Sequence, residues 1–94
     1  METLLTIPKE QVANLSFISQ DVLSSPQLQD LRKNKLQRAM LLGNLYRVKV
    51  TIKFRDDLHR FHCVDTTIWA VFEEHVSIKS GATIPIRAIE DIEF

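Results

Sequence analysis

The residues best suited to chemistry cluster in the second half of the chain. The cluster holds imidazole, thiol and carboxylate groups, at His59, His62, Cys63, Asp65 and His75. These groups can bind zinc, and a cysteine beside a histidine is also a candidate nucleophile. The surrounding pattern is that of a strand, however, in which four residues span about 13 Å, too far for two ligands of one ion. We therefore predict no metal site, no cofactor and no catalytic residue here, and interpret Cys63 as a small apolar strand residue.

Paired carboxylates occur twice, at Asp56-Asp57 and at Glu73-Glu74. Both pairs lie in predicted hairpin turns, so we interpret them as solvated turn residues rather than as an acid–base pair. The chain has two glycines, Gly43 and Gly81, which excludes a glycine-rich loop for phosphate. These patterns predict a protein that is not an enzyme.

Basic side chains are concentrated in the middle of the chain, although the formal net charge is +0. Residues 31–60 carry +7, whereas residues 1–30 carry −3 and residues 61–94 carry −4. One side of a predicted strand presents four of these cations, Arg47, Lys49, Lys53 and Arg55. Cations spaced about 6.8 Å apart can follow a nucleic-acid backbone. The alternative, which we favour, is a solvated outer face, because only Tyr46 offers an aromatic ring for base stacking.

Length and composition indicate one small globular domain. The chain has 94 residues, of which 45% are hydrophobic and 26% are charged, values typical of a domain with a single core. The lone Cys63 cannot form an internal disulfide, which favours a reducing compartment and predicts a cytoplasmic location. The first residues do not have the pattern of a signal peptide, and no apolar run is long enough to span a membrane, so no membrane partner is expected.

Two segments of different composition must position these groups. Ten of the eleven leucines lie in residues 1–45, and seven of the nine isoleucines lie in residues 52–94. Leucine loses little rotamer freedom in a helix, whereas isoleucine is stiff and suits strands. We therefore predict a single domain, 1–94, in which a helical segment over 1–45 precedes an antiparallel β segment over 46–94.

The clearest predicted helix begins after Ser25, with Pro26 as its first residue, and stops at Gly43-Asn44. An apolar face follows it at helical spacing: Leu28, Leu31, Lys35, Ala39 and Leu42, widened by Leu36 and Met40. An earlier helix is predicted from about Pro8 to Leu23, capped by Thr6.

Alternation over residues 46–55 predicts a strand that buries Val48, Val50, Ile52 and Phe54. Further strands are predicted over 59–72 with a bend near Asp65-Thr66, and over 76–79, 83–86 and 91–94, with one helical turn before the last. The predicted fold class is α+β: one or two N-terminal helices packed on a small, strongly bent five-stranded antiparallel sheet or barrel.

This order of elements resembles the Sm-like small β-barrels over about residues 26–94. The likeness lies in the tail, where Ile84-Pro85-Ile86, Ile89, Ile92 and Phe94 take the places of the last two strands and their one-turn link. Through residues 41–45, 50–54 and 66–71 the chain is also similar to a family of small bacterial proteins with such a barrel. The resemblance implies the fold, and RNA or a protein as partner. Residues 84–88 stand where Sm proteins carry a glycine-containing motif, which argues against RNA binding and ring assembly of the Sm kind.

We predict a non-catalytic interaction module whose partner is a protein or a second copy of this chain. The stretch 67–72 is apolar on both faces, and a small domain has little interior to cover both. The candidate interface residues are Trp69, Val71 and Phe17, and a homodimer or small oligomer is expected. The alternative is an RNA-binding Sm-like module that uses Arg47, Lys49, Lys53 and Arg55.

Overall fold

The computed structural model describes residues 5–94 as an α+β fold with one long helix. Helix α1 spans Pro26–Tyr46, and short 3₁₀-helices span Lys9–Asn14 and Ile86–Ala88. The strands are β1 (Leu5–Thr6), β2 (Val50–Arg55), β3 (Phe61–Thr66), β4 (Ile68–Val71), β5 (His75–Ile78), β6 (Thr83–Pro85) and β7 (Ile89–Glu93).

The strands form two sheets. In the first, β2 lies between β3 and β7 and is antiparallel to both, while the two-residue β1 joins β3 in parallel. In the second, β5 lies between β4 and β6, again antiparallel. The predicted α+β class is confirmed. The expected five-stranded sheet or closed barrel is wrong for residues 5–94, where the strands make two separate sheets.

The two sheets separate at Thr67. The strand predicted over 59–72 is instead two strands, β3 and β4, and the predicted bend falls next to their junction. The carbonyl of Thr67 accepts a hydrogen bond from the Lys79 N–H at 3.1 Å, and the β4–β5 register shifts between Ile68 and Ala70. The chain therefore leaves the first sheet at Thr67 and enters the second.

The alternation predicted for the first long strand is confirmed from Val50 to Arg55, but the strand begins at Val50 rather than at residue 46, because α1 extends to Tyr46. Val50 is 3% exposed, and Ile52 and Phe54 are fully buried, while Val48 is half-buried just before β2. The pairing partners of Ile52 are Val64 on β3 and Ile92 on β7, both in the core. A slip of one residue would expose this whole set.

Helix α1 begins where the sequence predicts but ends later. Ser25 Oγ accepts a hydrogen bond from the Leu28 N–H at 3.4 Å, and Pro26 is the first helical residue. Gly43 does not stop the helix, which continues to Tyr46. Instead, a Cβ at Gly43 would lie 2.6 Å from the backbone oxygen of Ile68. The glycine therefore permits close approach of α1 to β4.

The helix predicted from Pro8 to Leu23 is wrong, since the structure places only the 3₁₀-helix Lys9–Asn14 in that range. The physical reason is pairing further along the segment. Phe17 forms an antiparallel bridge with Asp56, and the Ser16 carbonyl accepts from the Asp57 N–H at 3.0 Å. These bonds need an extended backbone.

The irregular segment over residues 15–25 is fastened by polar contacts with distant residues. Arg87 Nε donates to the Ile18 carbonyl at 2.8 Å, and the Val22 N–H donates to the Arg87 carbonyl at 2.9 Å. Both carboxylate oxygens of Asp21 accept from the guanidinium of buried Arg32, at 2.8 and 2.7 Å. This segment thus joins the helix to the C-terminal part of the chain.

Candidate interaction surfaces

Helix α1 buries a face that is rotated from the predicted one. Its buried residues are Arg32, Leu36, Ala39 and Gly43, so Ala39 and Leu36 of the predicted apolar face are buried, whereas Leu28 and Leu31 are exposed. The contacts of Arg32 account for the rotation, because it donates to Asp21 and also to the Ile89 carbonyl at 3.0 Å. These contacts, together with the close approach of α1 to β4 at Gly43, rotate the helix so that Leu28 and Leu31 of the predicted row are exposed.

One side of α1, next to its buried face, carries a row at heptad spacing with leucines at both ends and two cations in the middle. We call it the outer helix face: Leu28, Leu31, Lys35, Arg38, Leu42 and Leu45. Leu28, Leu31 and Leu45 are 49%, 50% and 62% exposed. Residues three and four positions apart share one side of a helix, so these side chains form a continuous row. Such a row is typical of a helix that pairs with another.

The two cations in the middle of the outer helix face already have neighbours from the C-terminus. Lys35 Nζ lies 2.6 Å from Asp91 Oδ1, and the guanidinium of Arg38 lies over the Phe94 ring, 5.1 Å from its centroid. Contacts of this kind reduce the cost of carrying a charge beside apolar surface. Both cations of the row therefore have favourable contacts within the chain.

At its N-terminal end the outer helix face opens into a shallow cavity of about 380 Å³. Leu23, Leu28, Leu31 and Phe61 supply apolar walls, and Glu90 and Asp91 lie among the polar ones. A large apolar side chain from another molecule has room here. The cavity is continuous with the row and belongs to the same surface.

The structure divides the predicted basic row into two halves. Lys53 is paired with Glu93, and Arg55 with Glu90. Arg55 also donates to the His59 carbonyl at 2.8 Å and lies over the Phe61 ring, 4.4 Å from its centroid. The hydrogen bond that Lys53 donates to Glu93 raises the pKa of Lys53. These two cations are occupied by partners within the chain.

The other half of the row has a different environment. Arg47 follows the last helical residue in a left-handed conformation with φ 55°, and Lys49 precedes β2. Both side chains are exposed, and neither has an ion pair with any described residue. Arg47 and Lys49 therefore remain available to bind an outside partner.

The three predicted interface residues do not come together. Phe17 is partly buried, with its ring 5.7 Å from that of Phe54. Val71 is half-buried on β4 beside α1, where it lines a cavity with Phe72. Trp69, on the same strand, is 49% exposed and lines another cavity. Of the three, only Trp69 presents a large part of its side chain to an outside partner.

Trp69 forms one wall of a cleft of about 300 Å³ at the C-terminal end of α1. The cleft is lined by Gly43, Asn44, Arg47, Thr67, Trp69 and Lys79. We name it the Trp69 cleft. The sequence pattern does not indicate Asn44, Thr67 and Lys79, which become neighbours only through folding. The signal that could have found them is Gly43, whose missing side chain marks close contact between two elements.

The prediction that Asp56 is a solvated turn residue is wrong, because Asp56 is fully buried. Its carboxylate accepts from His62 Nε2 at 2.8 Å, from Arg60 Nε at 2.7 Å and from the backbone N–H groups of Leu58 and Arg60. Burial alone raises the pKa of Asp56, but these hydrogen bonds outweigh it and lower the pKa to about 2. Asp56 therefore fixes the hairpin as a buried anion.

The remaining members of the histidine and cysteine cluster are separated. His62 turns to Asp56, whereas Cys63 is buried with its Sγ 3.2 Å from Thr6 Oγ1. His75 lies on β5 and stacks on Phe72. Across residues 5–94, no three histidine, cysteine or acidic side chains are grouped as metal ligands.

Comparison with known proteins adds no assignment. No family model, curated protein sequence or solved structure matches this chain. In the described part of the chain, no helix has the length and apolarity needed to cross a bilayer.

Proposed function

We propose that this protein is a non-catalytic interaction module that pairs with a second copy of itself through the outer helix face. The observation that carries the proposal is the row of partly exposed leucines along one side of α1, two at each end with Lys35 and Arg38 between them, next to the face that is buried in the core. Burying the remaining surface of one such leucine contributes about 1 kcal/mol. Several leucines in one row therefore supply a driving force that scattered surface leucines do not.

A two-fold antiparallel arrangement fits the spacing of this row. It sets Leu28 of one copy opposite Leu45 of the other, and Leu31 opposite Leu42. The row from residue 28 to residue 45 is about 26 Å long. That length allows a helix pair, with the flanking cavity, to approach the area of a standard interface.

Charge is compatible with this arrangement. The middle of the pair sets Lys35 opposite Arg38 of the second copy, and two like charges in contact oppose binding. However, Lys35 carries Asp91 beside it, and the Asp91 side chain is 43% exposed. Arg38 of the second copy can share this carboxylate. The chain as a whole has a formal net charge of +0, so two copies have no long-range repulsion.

The absence of catalysis is part of the proposal, and the placement of the only thiol supports it. Cys63 is 4% exposed, and its hydrogen-bonding neighbour is Thr6 rather than a histidine. A nucleophile needs both access and a base. His62, adjacent in sequence, is bound to Asp56 on the other side of the strand.

The Sm-like relationship remains a proposal. It is supported by the strand succession, in which β7, β2 and β3 form one sheet and the chain continues directly from β3 into β4, β5 and β6. The basic row gives the RNA-binding alternative little support at Lys53 and Arg55, since both have acidic partners.

Sedimentation velocity over a dilution series from 2 to 200 µM tests the self-association. We expect a dimer that dissociates on dilution for the wild type. Leu31→Glu/Leu45→Glu places two carboxylates in the row and is expected to be monomeric throughout, with an unchanged circular dichroism spectrum.

Leu58→Glu/Phe72→Glu is the matched control, because these side chains are also exposed, at 66% and 52%, but lie off the row. It should associate like the wild type. A wild type that is monomeric at 200 µM, or a control that loses association equally, would contradict the proposal.

A further inference from the structure

The Trp69 cleft is distinguished by its charge. Two cations, Arg47 and Lys79, line it without any carboxylate. Four other surface cavities each include at least one acidic residue, such as Glu90, Asp30, Asp21 or Glu10. Neither Arg47 nor Lys79 has an ion pair with a described residue. The cleft is therefore a concave positive site beside an indole ring.

The cleft is held in shape by the backbone rather than by mobile side chains. Gly43 lets α1 approach β4 so closely that a Cβ there would lie 2.8 Å from Thr67 Cγ2. The Lys79 N–H donates to the Thr67 carbonyl at 3.1 Å, which positions Lys79 across from the helix end. On the third side, the Arg47 N–H donates to the Gly43 carbonyl at 2.9 Å. That bond also occupies one of the last carbonyls of the helix.

We propose that the Trp69 cleft binds one nucleotide unit of a single-stranded nucleic acid. The base stacks on the indole of Trp69, and the phosphate lies between Arg47 and Lys79. An aromatic platform beside cations is the general solution for single strands, because every base has a π-face and every phosphate a charge. A volume of about 300 Å³ is at the small end for ligand sites and suits one nucleotide.

Lys49 favours a strand over a free nucleotide. It precedes Val50, whose pairing partner Thr66 is adjacent to Thr67 of the cleft. Lys49 is exposed, and no described residue forms an ion pair with it, so a third cation lies just outside the cleft. A neighbouring phosphate of the same strand can use it. The proposal does not rest on self-association, since the outer helix face is a separate surface.

Two measurements on the full chain test the site, using hexauridylate as the probe. Trp69 is the single tryptophan, so quenching of its fluorescence reports stacking directly. Anisotropy of labelled hexauridylate at 20 mM NaCl should give a dissociation constant of about 1–100 µM, as for non-specific binding. The logarithm of affinity should fall with that of salt concentration with a slope of about −2, for two to three phosphates.

Variants separate the cleft from general charge. Arg47→Gln/Lys79→Gln should bind at least tenfold more weakly, whereas Lys53→Gln/Arg55→Gln, which removes two cations from the paired half of the row, should stay within about twofold. Trp69→Ala should lose about tenfold, and Trp69→Phe, which keeps an aromatic face, should bind nearly as well as the wild type.

Three outcomes would overturn the proposal. The first is no quenching and no anisotropy change at 100 µM protein and 20 mM NaCl. The second is equal binding of hexaglutamate or equal loss in the two charge variants, either of which would mean a general polyanion surface. The third is uridine monophosphate binding as tightly as hexauridylate, which would assign the cleft to a free nucleotide instead of a strand.

Discussion

The two ends of β2 carry similar cations in opposite circumstances. At the Arg55 end, Lys53 is paired with Glu93 and Arg55 with Glu90. The neighbouring Asp56 is buried and accepts several hydrogen bonds. At the other end, Arg47 and Lys49 are exposed and have no ion pair among residues 5–94. Alternation in the sequence therefore locates charges on one face of a strand, whereas ion pairing decides which of them stabilise the fold and which remain available to a ligand.

The largest effect should come from removing the buried carboxylate. Asp56→Ala leaves His62, Arg60 and two backbone N–H groups without their acceptor, and we expect it to lower the free energy of unfolding by about 3 kcal/mol. Urea denaturation followed by circular dichroism measures this. Asp57→Ala is the matched control, since Asp57 is exposed, and should change it by less than about 0.5 kcal/mol. A loss below 1 kcal/mol for Asp56→Ala would contradict the structural role.

The next largest effect should be a loss of folding stability at low pH, caused by protonation of Asp56. The pKa of Asp56 is about 2 in the folded protein, against 3.8 as its ordinary value. Because the folded-state pKa is the lower one, the unfolded chain takes up the proton first as pH falls. The stability that Asp56 contributes, about 2 kcal/mol, is therefore present above about pH 4 and is lost as pH falls toward 2.

Urea denaturation at pH 6, 4, 3 and 2 checks this pH dependence. Asp56→Asn cannot ionise, so its profile should be flatter than that of the wild type between pH 4 and pH 2. Parallel profiles for the two proteins would assign the loss of stability at low pH to other carboxylates.

A smaller effect on stability is expected from a substitution at Gly43, which lines the Trp69 cleft. Gly43→Ala gains about 1 kcal/mol of helix propensity. Its Cβ would be crowded against the Ile68 oxygen, which costs about 1–3 kcal/mol, so we expect net destabilisation of about 1 kcal/mol. Displacement of β4 should also shift the emission of Trp69. Asn34→Ala, on an exposed position of the same helix, should be neutral or slightly stabilising, and a stabilised Gly43→Ala would refute the close approach.

The strands were the most predictable part of the fold. Strict alternation from Val50 to Phe54 reflects one buried face, and the structure has that register. Even the one-turn link before the last strand is present, as the 3₁₀-helix Ile86–Ala88. These features are local, because the period of the pattern and the geometry of the strand are the same property.

The helix was harder to predict, because its neighbours decide its burial. Arg32 is 5% exposed since its guanidinium reaches Asp21, eleven residues away, and no periodicity predicts a buried arginine. Gly43 is typical of a helix end in sequence but is a packing position in the structure. The outward rotation of the leucine row follows from these two residues, and so does the surface on which self-association is proposed.

The candidate sites were predictable only in part for the same reason. Trp69 was identified from an apolar stretch, and Arg47 from a charge pattern. Lys79 is supplied by a different strand end, and the acidic partners of Lys53 and Arg55 come from β7, some 40 and 35 residues further on. A sequence pattern shows which residues are adjacent along a strand, but not which distant segment supplies their partners.

The long-range hydrogen bonds of residues 15–25 affect the order in which the chain folds. The Ile18 carbonyl accepts from Arg87, which lies 69 residues later, so this segment cannot complete its contacts until nearly the whole chain has been synthesised. Loop closure over that separation is costly, whereas the β4–β5 and β5–β6 hairpins close over short distances. We therefore expect the hairpins to form early and residues 15–25 to dock late in the folding reaction, although they precede the hairpins in sequence.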